Sequence, residues 1–184
     1  MNCNAITVSN EIIKAAKEDG ASITPLRLMK LTYMAYGFGL ALLNDGVDMI
    51  DPRFDKVEAW RLGPVIPSVY HTFKHYCNMP ITELGQVAVE TDNISETSVF
   101  KAPELGTSQD DADRLSVIKY VWRRYKGMSA GELVEILHQD GTPWSLSYRP
   151  GSNREIPRRA TKQYYDLLVN NIYDNVKRQA GSHN

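Results

Sequence analysis

One long apolar segment dominates the hydrophobic pattern of the chain. Between residues 24 and 43, apolar side chains recur three and four positions apart along two stripes. One stripe is Leu28, Leu31, Ala35, Phe38 and Leu42, and the other is Leu26, Met29, Tyr33, Tyr36 and Leu40. A helix with two apolar stripes is buried on most sides, and Pro25 suits its first position. The pattern therefore predicts a central buried helix over 24–43, in which Gly37 and Gly39 permit close packing.

Shorter amphipathic segments predict five further helices. Their expected starts are an N-cap at Ser9, Pro67, an N-cap at Ser108, a capping box that begins at Ser129, and residue 160. The first of these helices would end at Gly20, and the one that begins at Pro67 would carry Tyr76. The last would span about 160–178, with Tyr165, Leu168, Ile172 and Val176 directed inward.

The β content is small. Alternation over 57–61 predicts one short strand that Gly63-Pro64 ends, and 87–89 with 99–101 predict a hairpin. Residues 139–157 are rich in Gly, Pro and Ser and are expected to form a loop. The fold class is therefore mostly α, or α+β: a compact helical domain around a central buried helix, with a small β element. Residues 1–184 form a single domain with an acidic insert at 83–113 and a flexible tail at 179–184.

Charge and composition exclude several classes of protein. The 184 residues include 21 basic and 22 acidic side chains, so the net charge of −1 gives no general attraction to nucleic acid or anionic membranes. The longest uncharged apolar stretch, 31–43, is shorter than the roughly 20 residues of a membrane span. Residues 1–9 lack the features of a signal peptide, and two cysteines do not make a disulfide framework. We expect a cytoplasmic protein with reduced thiols and no membrane association.

Motifs of common enzymes do not occur. The sequence contains no phosphate-binding glycine loop and no G-x-S-x-G motif, so we expect neither an enzyme nor a cofactor. His71 and His75 are spaced to share a helical face, with Cys77 nearby, which is compatible with a zinc site. No fourth ligand accompanies them, so solvated or packed side chains are the favoured interpretation and no metal is expected.

Two basic stretches are candidates for binding nucleic acid. Residues 114–126 hold five basic and no acidic side chains, and 149–162 hold five basic side chains with Glu155. They could form a phosphate-binding patch, a solvated face, or ion pairs with the acidic segment 83–113. Because the chain has no overall basic excess, we favour the second and third interpretations.

Aromatic side chains beside Pro and Gly suggest a protein interface. Trp60, Tyr70, Trp144 and Tyr148, together with Arg61, lie outside the predicted helices or at their edges. Exposed Trp, Tyr and Arg side chains are the usual anchors of protein–protein contacts. The alternative is that Trp60 and Trp144 pack in the core.

Three sequence blocks, in order over about residues 6–175, resemble one family. Lys30 to Ala35 matches K-L-x-Y-x-A, which includes Tyr33, and Glu58 to Tyr70 matches E-A-W-x-x-G-P-V-x-P-x-x-Y. The third block runs from Ser129 to Trp144 and matches S-A-x-x-L…H…P-W. Together they resemble the Panacea (SocA-like) antitoxin domain, a family that includes phage-associated GepA-type proteins.

The resemblance implies a mostly helical, non-enzymatic antitoxin from a bacterium or prophage. Its partner would be a cognate protein toxin, encoded beside it and neutralised by direct binding. Two alternatives stay open. One is a prophage-encoded adaptor that delivers a client to a protease, and the other is a nucleic-acid-binding regulator. The regulator would use Arg123, Arg124, Arg154, Arg158 and Arg159.

Each motif residue also has an expected packing role. The tight turn at Gly63-Pro64 would swing Trp60 away from the helix that Pro67 begins. Lys30 would reach a carboxylate or a carbonyl at the helix edge, with Glu58 as a candidate partner. Further along the chain, Pro143 would orient Trp144 against the core near His138, which we interpret as structural rather than catalytic.

Overall fold

The structure is a computed structural model that describes residues 3–89 and 99–181. Within these ranges, the chain forms seven α-helices, one 3-10 turn and five short strands. In chain order they are α1 (Ala5–Glu18), α2 (Pro25–Leu42), β1 (Glu58–Trp60), β2 (Gly63–Val65), α3 (Pro67–Phe73), the 3-10 turn (Lys74–Tyr76), β3 (Val87–Val89), β4 (Val99–Lys101), α4 (Gln109–Tyr125), α5 (Ala130–His138), α6 (Pro143–Ser147), β5 (Arg154–Glu155) and α7 (Arg158–Gly181). The mostly helical α+β class is confirmed. No helix in the described ranges is both long enough and apolar enough to span a bilayer.

Helix α2 is the centre of the core, as its two apolar stripes predicted. Helices α1, α4, α5 and α7 all pack on it, and so do β2 and α3. Its two glycines allow this close packing. A Cβ atom on Gly37 would lie only 2.1 Å from Cε2 of Tyr165 on α7, and one on Gly39 would lie 2.2 Å from Cγ of Met49.

The small sheet has the order β2-β1-β5, with antiparallel pairing throughout. The first strand ends before Gly63-Pro64, as predicted, but these two residues also begin the returning strand of a hairpin, which was not predicted. Gly63 adopts a φ of +101°, which lets the chain reverse over two residues and pair Trp60 with Gly63. Pro64 is tolerated because β2 is an edge strand, where a missing N–H breaks no ladder.

Within the acidic segment 83–113, β3 and β4 form the predicted antiparallel hairpin, with Val87 opposite Lys101. Residues 90–98 lie outside the described residues. The segment ends in the first turn of α4, where the side chain of Ser108 accepts a hydrogen bond from the backbone N–H of Asp111, as predicted. That the whole segment is an insert stays a prediction.

Two helix boundaries in the N-terminal half of the chain were predicted wrongly. Helix α1 begins at Ala5, because the side chain of Asn4 caps it by accepting from the N–H of Thr7. Ser9 is buried inside the helix, where its hydroxyl donates to the carbonyl of Ala5 at 2.8 Å. Helix α3 ends at Phe73, and Tyr76 belongs to the 3-10 turn that follows.

The predicted loop over 139–157 contains α6 and β5. Thr142 caps α6 and Pro143 occupies its first position, which is a common way for a helix to begin. Helix α7 continues to Gly181, and residues 182–184 of the predicted tail lie outside the described residues. Tyr165 is buried as expected, but Val176 is 58% exposed, which contradicts its predicted inward position.

Candidate functional site

Lys30 is a fully buried lysine at the centre of the molecule. Its Nζ donates a hydrogen bond to the carbonyl of Pro64 on β2, at 2.9 Å. The predicted carbonyl contact is therefore confirmed, but Glu58 is not the partner. The carboxylate of Glu58 accepts instead from Nε1 of Trp60, at 2.7 Å. Lys30 thus fastens the β1–β2 hairpin to the central helix.

Burial controls the charge of this lysine. Desolvation lowers the pKa of Lys30 to about 7, because a buried ammonium loses its hydration. Among the described residues no carboxylate forms a salt bridge with it. The pKa of His138 is also lowered, first by desolvation and then by the nearby positive charge of Lys30.

Gly63 on β2 lies against both of these side chains, and its lack of a Cβ leaves room for them. A Cβ atom on Gly63 would lie 3.1 Å from Nζ of Lys30 and 3.5 Å from Nε2 of His138. Nε2 of His138 is buried and has no hydrogen-bond partner among the described residues. One residue from each of the three sequence blocks therefore meets at this point.

A stack of aromatic rings supports the hairpin. The imidazole of His138 lies parallel to Trp144, with ring centroids 3.6 Å apart and an interplanar angle of 1°. On α6, Trp144 also stacks on Tyr148 with a centroid distance of 4.7 Å. Nε1 of Trp144 donates to the carbonyl of Trp60 at 2.8 Å. The predicted position of Trp144 near His138, next to Pro143, is confirmed.

Thr142 is a residue that the sequence reasoning missed. Its hydroxyl donates to the carbonyl of Leu137 at 2.9 Å and accepts from the N–H of Ser145. The end of α5 is thereby joined to the start of α6, which sets the position of Trp144. A Thr immediately before a Pro is a helix-start signal that could have identified it.

Trp60 packs against α3, contrary to prediction. Its ring contacts Tyr70 edge-on at a centroid distance of 4.8 Å. The turn at Gly63 does not swing the indole away, because the chain returns through β2 to α3, whose Tyr70 contacts the ring. The hydrogen bond to Glu58 fixes the ring in this orientation.

The five predicted partner-binding residues differ in exposure. Trp144 is only 8% exposed, in agreement with the core alternative. Trp60, Tyr70 and Tyr148 are half-buried, and Arg61 is exposed in the hairpin turn. We call Trp60, Arg61, Tyr70 and Tyr148 the aromatic face.

The remaining motif residues have structural positions. Tyr33 is buried and packs edge-on against Tyr165, with centroids 6.1 Å apart. Pro67 begins α3, and Pro143 is buried at the start of α6. These residues hold the elements around the hairpin in place.

The His71, His75 and Cys77 triplet does not form a helical ligand face, since His75 belongs to the 3-10 turn after α3. Cys77 has a φ of 53° and is exposed. In the described part of the chain, no group of three or more His, Cys, Asp and Glu side chains could hold a metal ion.

Four of the ten basic side chains in the two basic stretches form salt bridges with carboxylates. Arg114 is buried, pairs with Asp111 at 2.8 Å and donates to the carbonyl of Asp48. Further pairs join Lys126 to Asp19, Arg158 to Asp48 and Lys162 to Asp166. These pairs neutralise part of the basic surface, and of the four only the Arg114–Asp111 pair joins a basic stretch to the acidic segment 83–113.

Comparison with known proteins identifies the class. Residues 28–145 match the family described as antitoxin SocA-like, Panacea domain. These residues include the buried lysine, the hairpin and the aromatic stack.

An individual relative extends the match. Over 151 residues, the chain is 31% identical to "Antitoxin SocA" of Caulobacter vibrioides (strain NA1000 / CB15N). The aligned region makes up 82% of this chain and 73% of that protein. No solved structure matches the chain. The chain belongs to the SocA-like, Panacea domain family of antitoxins.

Proposed function

We propose that this protein is an antitoxin that acts in the cytoplasm and neutralises a cognate protein toxin by direct binding, without catalysis. The observation that carries the proposal is the 31% identity to an antitoxin over 82% of the chain. The family match, over residues 28–145, includes all three sequence blocks that meet at the β1–β2 hairpin.

The chemistry at the hairpin supports binding rather than catalysis. Lys30 and His138 are the two groups there with lowered pKa values, a feature that active sites often share. However, the lysine is fully buried and bonded to a carbonyl, and the imidazole is covered by Trp144. Both groups therefore serve to hold the hairpin rigid.

The aromatic face is the contact surface that we assign to the toxin. Trp, Tyr and Arg dominate the binding energy of protein interfaces when they lie on a rigid support. Trp60 is held by Glu58 and Tyr70, and Tyr148 is held by its stack on Trp144. Because these rings are already ordered, binding costs little side-chain entropy.

Co-expression tests the proposed function. The product of the neighbouring gene is expected to stop growth when it is expressed alone and to be harmless when this protein is present. The two purified proteins should also form a complex. A product that is harmless alone, or equally lethal in both conditions, would overturn the proposal.

Variants of the aromatic face test its role. Arg61→Glu and Tyr70→Ala should each weaken the complex at least tenfold, whereas Arg159→Glu, an equal charge change on the exposed start of α7, should not. Unchanged affinity in both variants, with normal folding by circular dichroism, would remove the aromatic face from the interface. A shorter half-life of the partner in cells that contain this protein would indicate a proteolytic adaptor instead.

A further inference from the structure

An open groove lies on a different part of the molecule from the aromatic face. Helices α4 and α7 both pack on α2, and the C-terminal end of α2 forms the floor between them. The groove encloses about 530 Å³. The apolar and aromatic side chains that line it are Leu42, Leu43, Val117, Tyr120, Val169, Ile172 and Tyr173.

The apolar stripe of α7 lines this groove with Val169, Ile172 and Tyr173 and continues one turn beyond it to Val176. Val169, Ile172, Tyr173 and Val176 recur at helical spacings of three and four, so they share one face. The first two are half-buried, but Tyr173 is 64% exposed and Val176 is 58% exposed. On the floor, Leu42 is 48% exposed. An amphipathic stripe that no element of the described chain covers indicates an interaction surface.

The two ends of the groove carry side chains of opposite charge. Asp113 lies at the end of the groove near the N-terminus of α4. At the other end, a second cavity shares Ser116 and Tyr120 with the groove and is lined by Lys119, Arg123 and Arg124. Lys119 and Arg123 form no salt bridge within the described residues.

These polar ends specify the orientation of an occupant. From Asp113 to Arg124, α4 rises about 16 Å, which equals three turns of a helix. Helices commonly carry carboxylates in their first turn and basic side chains in their last turn. A helix that lies antiparallel to α4 would therefore place its carboxylates against Lys119 and Arg123, and its basic end near Asp113.

We propose that this groove binds an amphipathic helix of the protein partner, antiparallel to α4, with apolar anchors in the groove and acidic residues at the Lys119–Arg123 end. The proposal rests on the proposed function, since the partner is the toxin that the protein neutralises, and the groove would be a second contact in addition to the aromatic face. Anchors at positions i, i+3 or i+4, and i+7 are the usual mode of helix-in-groove recognition. A second copy of this chain is the competing occupant, since α4 itself carries Asp110 and Asp111 in its first turn and Arg123 and Arg124 in its last turn, and light scattering distinguishes the two.

The first test uses the purified product of the neighbouring gene as the probe. Leu42→Glu and Tyr173→Glu, both at exposed positions, should each raise its Kd at least tenfold. Lys119→Glu combined with Arg123→Glu should do the same, with a smaller effect at high salt. The matched controls are Leu167→Glu on the opposite side of α7 and Arg159→Glu, which should change the Kd less than twofold.

The second test does not depend on the neighbouring protein. Two three-turn peptides with the same leucine stripe are added to the isotope-labelled full chain, one with an acidic first turn and basic last turn and one with these charges exchanged. The first peptide should shift the NMR signals of α4 and α7 at the lower concentration. The Lys119→Glu, Arg123→Glu double variant should reverse that preference.

The outcomes separate the two proposals. If the neighbouring product is bound equally by the wild type and all groove variants, the groove proposal is wrong while the proposed function stands. The groove proposal would also be wrong if neither peptide shifted the NMR signals of the groove. It would be wrong as well if light scattering showed a wild-type dimer that Leu42→Glu dissociates. A neighbouring product that is neither toxic nor bound would overturn the proposed function, although the peptide result could still identify the groove as a helix-binding site.

Discussion

At the scale of single residues, Lys30 links burial to charge. The carbonyl of Pro64 satisfies one of its three hydrogen-bond donors, but burial still disfavours the ammonium form and lowers its pKa to about 7. A lysine in the unfolded chain titrates near 10.4. Protonated Lys30 therefore opposes folding, and this opposition is fully present below pH 7 and disappears as the pH rises towards 10.

This linkage predicts the effect of Lys30→Met. Methionine has no charge to bury, although it leaves the carbonyl of Pro64 unpaired. Between pH 6 and 9, the wild type should gain stability relative to the variant. The difference between their free energies of unfolding should change by about 2–3 kcal/mol in favour of the wild type. Urea denaturation across this range measures it, with Lys101→Met at an exposed position as the control. A difference that does not change with pH would show that Lys30 titrates normally.

Position 63 requires glycine for two reasons, the backbone conformation and the space beside it. Its φ of +101° is strained for any other residue, and an added Cβ would lie 3.1 Å from Nζ of Lys30. Gly63→Ala should therefore lower the free energy of unfolding by about 1–3 kcal/mol. Gly127→Ala is the matched control, because nothing lies within 4 Å of its added Cβ. Equal stability of the two variants would contradict the argument.

At the scale of elements, the contact of α2 with α7 depends on a glycine under an aromatic ring. A Cβ on Gly37 would overlap the buried ring of Tyr165, which also packs on Phe38 with centroids 5.0 Å apart. Since the ring is rigid, α7 would have to move away from α2. The close packing of α2 on α7 thus compensates for the low helix propensity of glycine.

Gly37→Ala should consequently destabilise the protein by about 2–3 kcal/mol, measured by thermal or chemical denaturation. The double variant with Tyr165→Leu should lose less than the sum of the two single losses, since the shorter side chain makes room. Gly131→Ala, in a helix with an open neighbourhood, should be neutral or stabilising. Additive losses would mean that the two positions are not in contact.

At the scale of the whole molecule, one core joins α1, α3, α4, α5, α7 and the β1–β2 hairpin through α2. Because α1, α4, α5, α7 and the hairpin share α2, no part can lose its packing without exposing the others. The three tryptophans report on different parts: Trp60 and Trp144 lie at the hairpin, while Trp122 bonds to Asp19 between α4 and the end of α1. Urea unfolding should accordingly be a single transition, with coincident fluorescence and circular dichroism curves. Separate midpoints would reveal an independently folding part.

Much of the helical structure could be predicted because its signals are local. The capping box at Ser129 and Glu132, the cap at Ser108 and the proline at the start of α3 all act within four residues. The predictions failed where a stronger local signal was overlooked, as with Thr142, or where a glycine conformation decided between a break and a hairpin, as with Gly63.

The sequence predicted which residues belong to the candidate site but not how they are arranged. The motif residues could be selected from their blocks, but the hydrogen-bond partners of Lys30 and Trp144 are 34 and 84 positions away in the chain. The groove was missed because periodicity marks Ile172 and Val176 as one apolar face without showing whether any element covers that face.

The sequence alone determined six of the seven helices, the caps at Ser108 and Ser129, the central position of α2 and the family blocks, because these follow from interactions within a few residues and from the spacing of apolar side chains. The tertiary structure decided which blocks meet around Gly63, where Lys30 loses its hydration, and which apolar stripe stays open to solvent. These properties depend on how distant elements pack, and the free energy of packing is set by the shapes that meet rather than by any one segment.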